Sequence, residues 1–186
     1  MENIYLYIVV LLTLLAIGDL IVGVSNDAVN FLNSAIGSKA ISFKNIMILA
    51  SLGIALGALF SSGMMEVARK GIFNPGSFYF KDIIFIFMAV MMTDILLLDF
   101  FNTLGMPTST TVSIVFELLG AAVVTAMIKI FANSGNISEL STYINTDKAT
   151  QIILGILLSV FIAFTIGALV QWISRALLSY DFLSKS

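Results

Sequence analysis

Two adjoining stretches decide the fold: Ile4-Tyr-Leu-Tyr-Ile-Val-Val-Leu-Leu-Thr-Leu-Leu-Ala-Ile-Gly-Asp-Leu-Ile-Val-Gly-Val24 and, directly after it, Ser25-Asn-Asp-Ala-Val-Asn-Phe-Leu-Asn-Ser-Ala-Ile-Gly-Ser38. The first is apolar over the roughly 20 residues that a helix needs to cross a hydrocarbon core of about 30 Å. Glu2 is the one charged residue before it, and no small-residue cleavage pattern closes it, so it reads as a retained span rather than a signal peptide. The second stretch differs in kind. Stepped at 100° per residue, Asn26, Asp27, Asn30, Asn33, Ser34, Gly37 and Ser38 share one arc, while Ala28, Val29, Phe31, Leu32, Ala35 and Ile36 share the other. The polar arc presents amide and carboxylate oxygens, which are ligands for hard cations. The alternative is a helix lying flat at the membrane surface, but such helices favour basic polar faces. A broken or re-entrant segment over residues 25–45, lining a cavity, is therefore expected.

The rest of the chain follows the first stretch. Its 186 residues are 59% hydrophobic and 11% charged, with a mean hydropathy of +1.06, against roughly 25% charged in a soluble domain. The expected fold is an all-α polytopic membrane protein with about five transmembrane segments, forming one domain over residues 1–186. After the first span, apolar runs lie at about Ile46–Met65, Ile83–Leu98, from Pro107 to about Ala132, and Gln151–Ile173. Polar loops separate them at 66–82, with Arg69, Lys70 and the turn Asn74-Pro75-Gly76, and at 133–150. Gly105-Met-Pro107 stops the third span immediately before the fourth, a helical hairpin. Small residues at four-residue spacing, Gly53, Gly57 and Ser61 and then Gly155, Ser159, Ala163 and Gly167, favour close helix packing, within the chain or at a repeat or subunit interface. Lys39 and Lys44 on one side of the second span and Arg69, Lys70 and Lys81 on the other leave the orientation open.

Composition also excludes. With no Cys and no His, the chain has no disulfides, no thiolate or imidazole metal site and no Ser-His or Cys-His nucleophile. A formal net charge of -2 with scattered Lys and Arg offers nucleic acid no basic stripe.

Asp19, Asp27, Asp94, Asp99 and Glu117 fall within or at the ends of apolar segments, where Lys129 is the one cation available to them. A carboxylate at a helix centre costs about 2.5–3.5 kcal/mol on insertion scales, so such acids are protonated, hydrogen-bonded in a cavity or coordinated to a cation. Wetting at the interface is an alternative for Asp99 and Asp19, and a weak one for Asp27, Asp94 and Glu117. The second polar constellation is Met106-Pro-Thr-Ser-Thr-Thr-Val-Ser113, where Pro sets the entry of a helix and hydroxyls open it. Beyond capping, free N–H groups and hydroxyls at a helix start bind phosphate oxygens without any Arg or Lys. Thr110, Ser113 and Glu117 continue a polar track along one face.

At these two segments the sequence resembles the inorganic phosphate transporter family, whose signature pairs G-x-N-D-x-x-N and a later Gly-Ser with Pro-x-Ser-Thr-Thr. Here they read Gly23-Val-Ser-Asn26-Asp27-Ala-Val-Asn30 with Gly37-Ser38, and Phe101-Asn102-Thr-Leu-Gly105-Met-Pro107-Thr-Ser109-Thr110-Thr111. The likeness spans roughly residues 18–125 and is closest to bacterial members. It implies sodium- or proton-coupled phosphate import by alternating access in the cell membrane, with no cofactor beyond the transported cation and a site between two inverted repeats. It implies that Asp27, Asn30, Ser109, Thr110 and Thr111 contact phosphate, with Ser38 a further candidate, and that Asn26, Asp27 and Asn30 hold the cation, Asn26 and Asp27 being the sodium candidates. The intramembrane acids Asp94 and Glu117 join this cation set. Two departures are Val112, where many members have His, and the extra Ser25.

Each motif occurs once, whereas a complete member carries the pair twice. The chain is expected to be the amino-terminal part of a longer protein, the alternative being a half-size chain that completes its site as a homodimer. Moving a phosphate dianion into an interior-negative cell opposes the field by about 4.6 kcal/mol per 100 mV, at roughly 2.3 per charge, so cations must travel with it. Competing readings are an intramembrane aspartyl protease using Asp19 or Asp94, and a membrane scaffold or assembly subunit resting on the small-residue stripes.

Overall fold

The computed structural model describes residues 2–39, 41–62, 66, 71–133 and 135–178. Arg69 and Lys70, and Met65 at the expected end of the second span, lie outside these residues. The chain divides into two compact units, residues 1–146 and 147–186. Helix α1 is Glu2–Ser38, α2 is Phe43–Leu59, α3 is Phe80–Leu104, α4 is Thr110–Asn133, α5 is the single turn Leu140–Tyr143 and α6 is Thr146–Leu178. Four of them, α1, α3, α4 and α6, are long and apolar enough to cross a membrane, and α2 is a shorter apolar helix. The fold is all-α and polytopic.

The polar stretch Ser25–Ser38 continues the helix of the first span. Helix α1 runs uninterrupted for 37 residues, about 55 Å at 1.5 Å per residue, well beyond a hydrocarbon core. Nothing in Ser25–Ser38 forbids a helix: there is no Pro, and Ser25 returns its hydroxyl to the Ile21 carbonyl at 2.8 Å, satisfying itself in the groove of the preceding turn. The break in the 25–45 stretch comes later, at Lys39, which adopts a left-handed conformation (φ 53°) before α2 starts at Phe43. Position C′ after a helix commonly takes this conformation.

Three helices build the core of the first unit. On α3 the buried residues Ile86, Val90, Asp94 and Leu98 recur every fourth position, and on α4 Leu118, Ala122, Ala126 and Ile130 do the same. The two alanines let the α3 and α4 backbones approach closely. Helix α1 lies beside α3, pointing the same way: Tyr5 meets Phe80 (ring centroids 6.5 Å) at one end, and Asn26 meets Asn102 at the other. Along this seam a side chain at Gly18 would meet Ile95 at 3.4 Å, and one at Gly23 would meet Leu98 and Thr110 at 3.8 Å. Gly53 and Gly57 of the small-residue stripe on α2 meet nothing within 4 Å among the described residues, so their packing role within this chain is not seen.

The α3–α4 hairpin is the expected one, and its turn is fully satisfied. Gly105, at φ 65°, donates to Asn102, and Met106 donates to Phe101, a Schellman ending that closes the orphan carbonyls of α3. Ser109 then caps α4: its hydroxyl accepts from Val112 N–H at 3.4 Å. At the far end, the loops 71–79 and 135–145 clasp each other through an isolated bridge between Phe73 and Ile144, with Asn74 N–H donating to the Tyr143 carbonyl at 2.8 Å. Lys129 closes this end by pairing with Asp82 at 2.7 Å, over the Tyr79 ring at 4.2 Å.

The close α3–α4 seam makes one prediction. Ala122→Leu overpacks it and costs about 1–3 kcal/mol of stability, whereas Val124→Leu, on the exposed face of the same helix, leaves stability unchanged. Unfolding midpoints in matched micelles measure both.

Candidate functional site

Where α1 passes the C-terminal end of α3 and the N-terminal end of α4, polar side chains from all three helices meet. Asn26 is 3% exposed, and its amide donates to Asn102 Oδ1 at 2.8 Å. Asn102 in turn donates to the Val22 carbonyl at 3.5 Å. One turn along α1, the Asn30 amide donates to the Thr108 carbonyl at 2.9 Å and to Asn26 Oδ1 at 3.4 Å. Between these, the Thr110 hydroxyl faces the Asp27 carboxylate, at 3.3 and 3.2 Å from its two oxygens. The amides thus clip α1 to the hairpin, and Asp27 sits beside the start of α4, where free N–H groups and the helix dipole favour negative charge.

The residues predicted for the site separate by role. Asn26, Asp27, Asn30 and Thr110 are brought together. Asn26, however, is enclosed and holds α3. Ser109 is engaged in capping α4, its side chain still exposed, and Thr111 is exposed and makes no side-chain hydrogen bond among the described residues. Ser38 returns its hydroxyl to the Ala35 carbonyl at 3.2 Å, within its own helix. Asn33 and Ser34 are exposed on the last turns of α1.

Asp94 and Glu117 form a second group. Ser113 Oγ lies 2.6 Å from Asp94 Oδ1 and 2.7 Å from Glu117 Oε1. The Asp19 carboxyl lies near this group, and Asp94 is 1% exposed. Asp19 and Asp27 are eight residues apart on one helix, about 12 Å along its axis, so this is a separate tier, deeper in the unit. Thr110, Ser113 and Glu117 do form one inward-facing track on α4, as their spacing predicts. Asp19 is half-buried, and its Oδ1, like Glu117 Oε2, is buried with no hydrogen-bond partner among the described residues. Lys129 does not answer these acids either, since it is engaged with Asp82 at the opposite end of α3 and α4. Asp99 is exposed.

Asn102 is the residue the sequence reading does not single out as part of the site. The signal was present: Asp94, Leu98 and Asn102 follow each other at four-residue spacing on one face of α3. Its partner Asn26, 76 residues away, is not readable from that spacing.

A protein of Thermococcus kodakarensis is 30% identical over 148 residues, covering 78% of this chain and 33% of its own length. Proteins of Mycobacterium tuberculosis, 27% identical over 164 residues, and Pyrococcus furiosus, 28% identical over 137 residues, are similar. All three carry the name "Putative phosphate permease". The chain spans about a third or less of the length of these relatives: 33%, 28% and 30%. No solved structure matches it significantly. The model of the phosphate transporter family matches residues 23–185, which takes in both polar segments and the helices that bring them together; the chain belongs to the phosphate transporter family.

Proposed function

We infer that this chain is the amino-terminal part of a cation-coupled inorganic phosphate transporter and supplies one wall of its site. The observation that carries the reading is the meeting of Asp27 with Thr110 at the start of α4. Hydroxyls and free backbone N–H groups at a helix start suit phosphate oxygens, and Ser109 and Thr111 are exposed beside Thr110 to add to them. The Asp27 carboxylate repels an anion unless a cation accompanies it, and this is the local reason for coupling. Membership of a transporter family, the single copy of each motif and the partial span of the longer relatives support the rest.

The deeper tier supports a place for the coupling cation. The Ser113 hydroxyl has one proton for two carboxyl oxygens, at 2.6 and 2.7 Å, and two further oxygens are buried without a donor. Three carboxyls so arranged need at least one proton or cation to coexist in low dielectric. The protease reading gains the side-by-side placement of Asp19 and Asp94. It loses to the enclosure of Asp94, which no peptide could reach, and to the family.

Two experiments in proteoliposomes carrying the longer transporter test this. Asp27→Asn and Thr110→Ala each lower uptake of labelled phosphate about tenfold or more, equivalent to about 1.4 kcal/mol; full uptake in both refutes the site. Glu117→Gln keeps phosphate exchange at equal concentrations but loses pH-driven accumulation, and accumulation that persists unchanged removes the deeper tier from coupling.

A further inference from the structure

The end of the unit opposite the candidate site carries a feature that phosphate transport does not use. Between the first turns of α1 and α3 lies an apolar groove of about 190 Å³, lined by Ile4, Tyr5, Ile8, Ile84 and Phe85, with Lys81 as its one charged wall residue. The two cations of this end are not equivalent. Lys129 is neutralised by Asp82 and enclosed by the Phe78, Tyr79 and Tyr143 rings. Lys81 is exposed and makes no ion pair among the described residues. It stands in the first turn of α3, whose N-terminus is already capped: Asp82 accepts from Tyr79 N–H at 3.0 Å, and its own N–H donates to the Tyr79 carbonyl at 2.9 Å.

The position along the membrane is fixed independently. Helices α1 and α3 both begin here, and exposed Tyr5, Tyr7 and Tyr79 cluster near their first turns. Tyrosine rings mark the level of the lipid headgroups. A groove that begins at this level, lined by aliphatic and aromatic carbon with Lys81 the one charged residue among its described walls, has the polarity of a lipid with a negative head.

We propose that this groove is a binding site for one anionic phospholipid, with an acyl chain between α1 and α3 and the headgroup phosphate at Lys81. Charge complementarity decides the headgroup. A zwitterionic lipid brings an ammonium beside Lys81 and offsets the attraction, whereas phosphatidylglycerol brings a net negative charge and no cation. The site is independent of the phosphate reading, because it shares no residue with either tier.

The test uses the purified chain in detergent, titrated with phosphatidylglycerol or phosphatidylcholine, with bound lipid counted by native mass spectrometry. Phosphatidylglycerol is retained in preference to phosphatidylcholine, and Lys81→Ala weakens its retention about fivefold, the value of one basic residue at an anionic surface. Lys81→Arg keeps retention, and Lys44→Ala, at the start of α2, leaves it unchanged. Ile8→Trp, which fills the groove without touching the charge, removes bound phosphatidylglycerol while the melting midpoint holds. Equal retention of both lipids, or full retention in Lys81→Ala or in Ile8→Trp, overturns the proposal. Displacement of the lipid by millimolar inorganic phosphate also overturns it, reassigning Lys81 to a free anion.

Discussion

A polar side chain in hydrocarbon has no water to turn to, so each one must find its partner in the protein. The described arrangement of α1, α3 and α4 answers that constraint. Asn26, Asp27 and Asn30 on α1 could not all face lipid without several kcal/mol of unmet hydrogen bonding. Asn102, the Thr108 carbonyl and Thr110 supply the missing partners at 2.8 to 3.3 Å. The register of α1 against the hairpin is thereby set by amides, and Gly18 and Gly23 lie along the same seam facing Ile95, Leu98 and Thr110.

The same constraint separates structural from available polarity. Asn26 is enclosed and occupied, whereas Asp27 and Thr110 are partly open and hold each other at 3.2 to 3.3 Å, a looser contact than the 2.6 and 2.7 Å bonds of Ser113 below them.

The two ends of the unit treat charge in opposite ways. At the loop end, Lys129 and Asp82 neutralise each other beneath aromatic rings, and the clasp between residues 71–79 and 135–145 keeps that pair in place. With Lys129 consumed there, no protein cation is left for Asp19, Asp94 and Glu117 among the described residues. The acidic side chains collect on the side of α3 and α4 nearer the hairpin.

Much of this was legible in the chain itself. Apolar runs near 20 residues dictate membrane helices because unsatisfied backbone in lipid is so costly. The Gly105-Met-Pro107 stop dictates the hairpin, and the four-residue spacing of Thr110, Ser113 and Glu117 dictates their common face. Where the chain interrupts itself within residues 25–45 was not legible: polarity on one face does not oppose helix formation, so α1 continues through Ser38 and the left-handed residue is Lys39. Only the tertiary structure could decide which distant groups share a site. Asn26 with Asn102, Asp19 with Asp94 and Lys129 with Asp82 each join residues more than 40 positions apart. A sequence states which side chains need partners in lipid; the packing of helices determines which partners come within 3 Å.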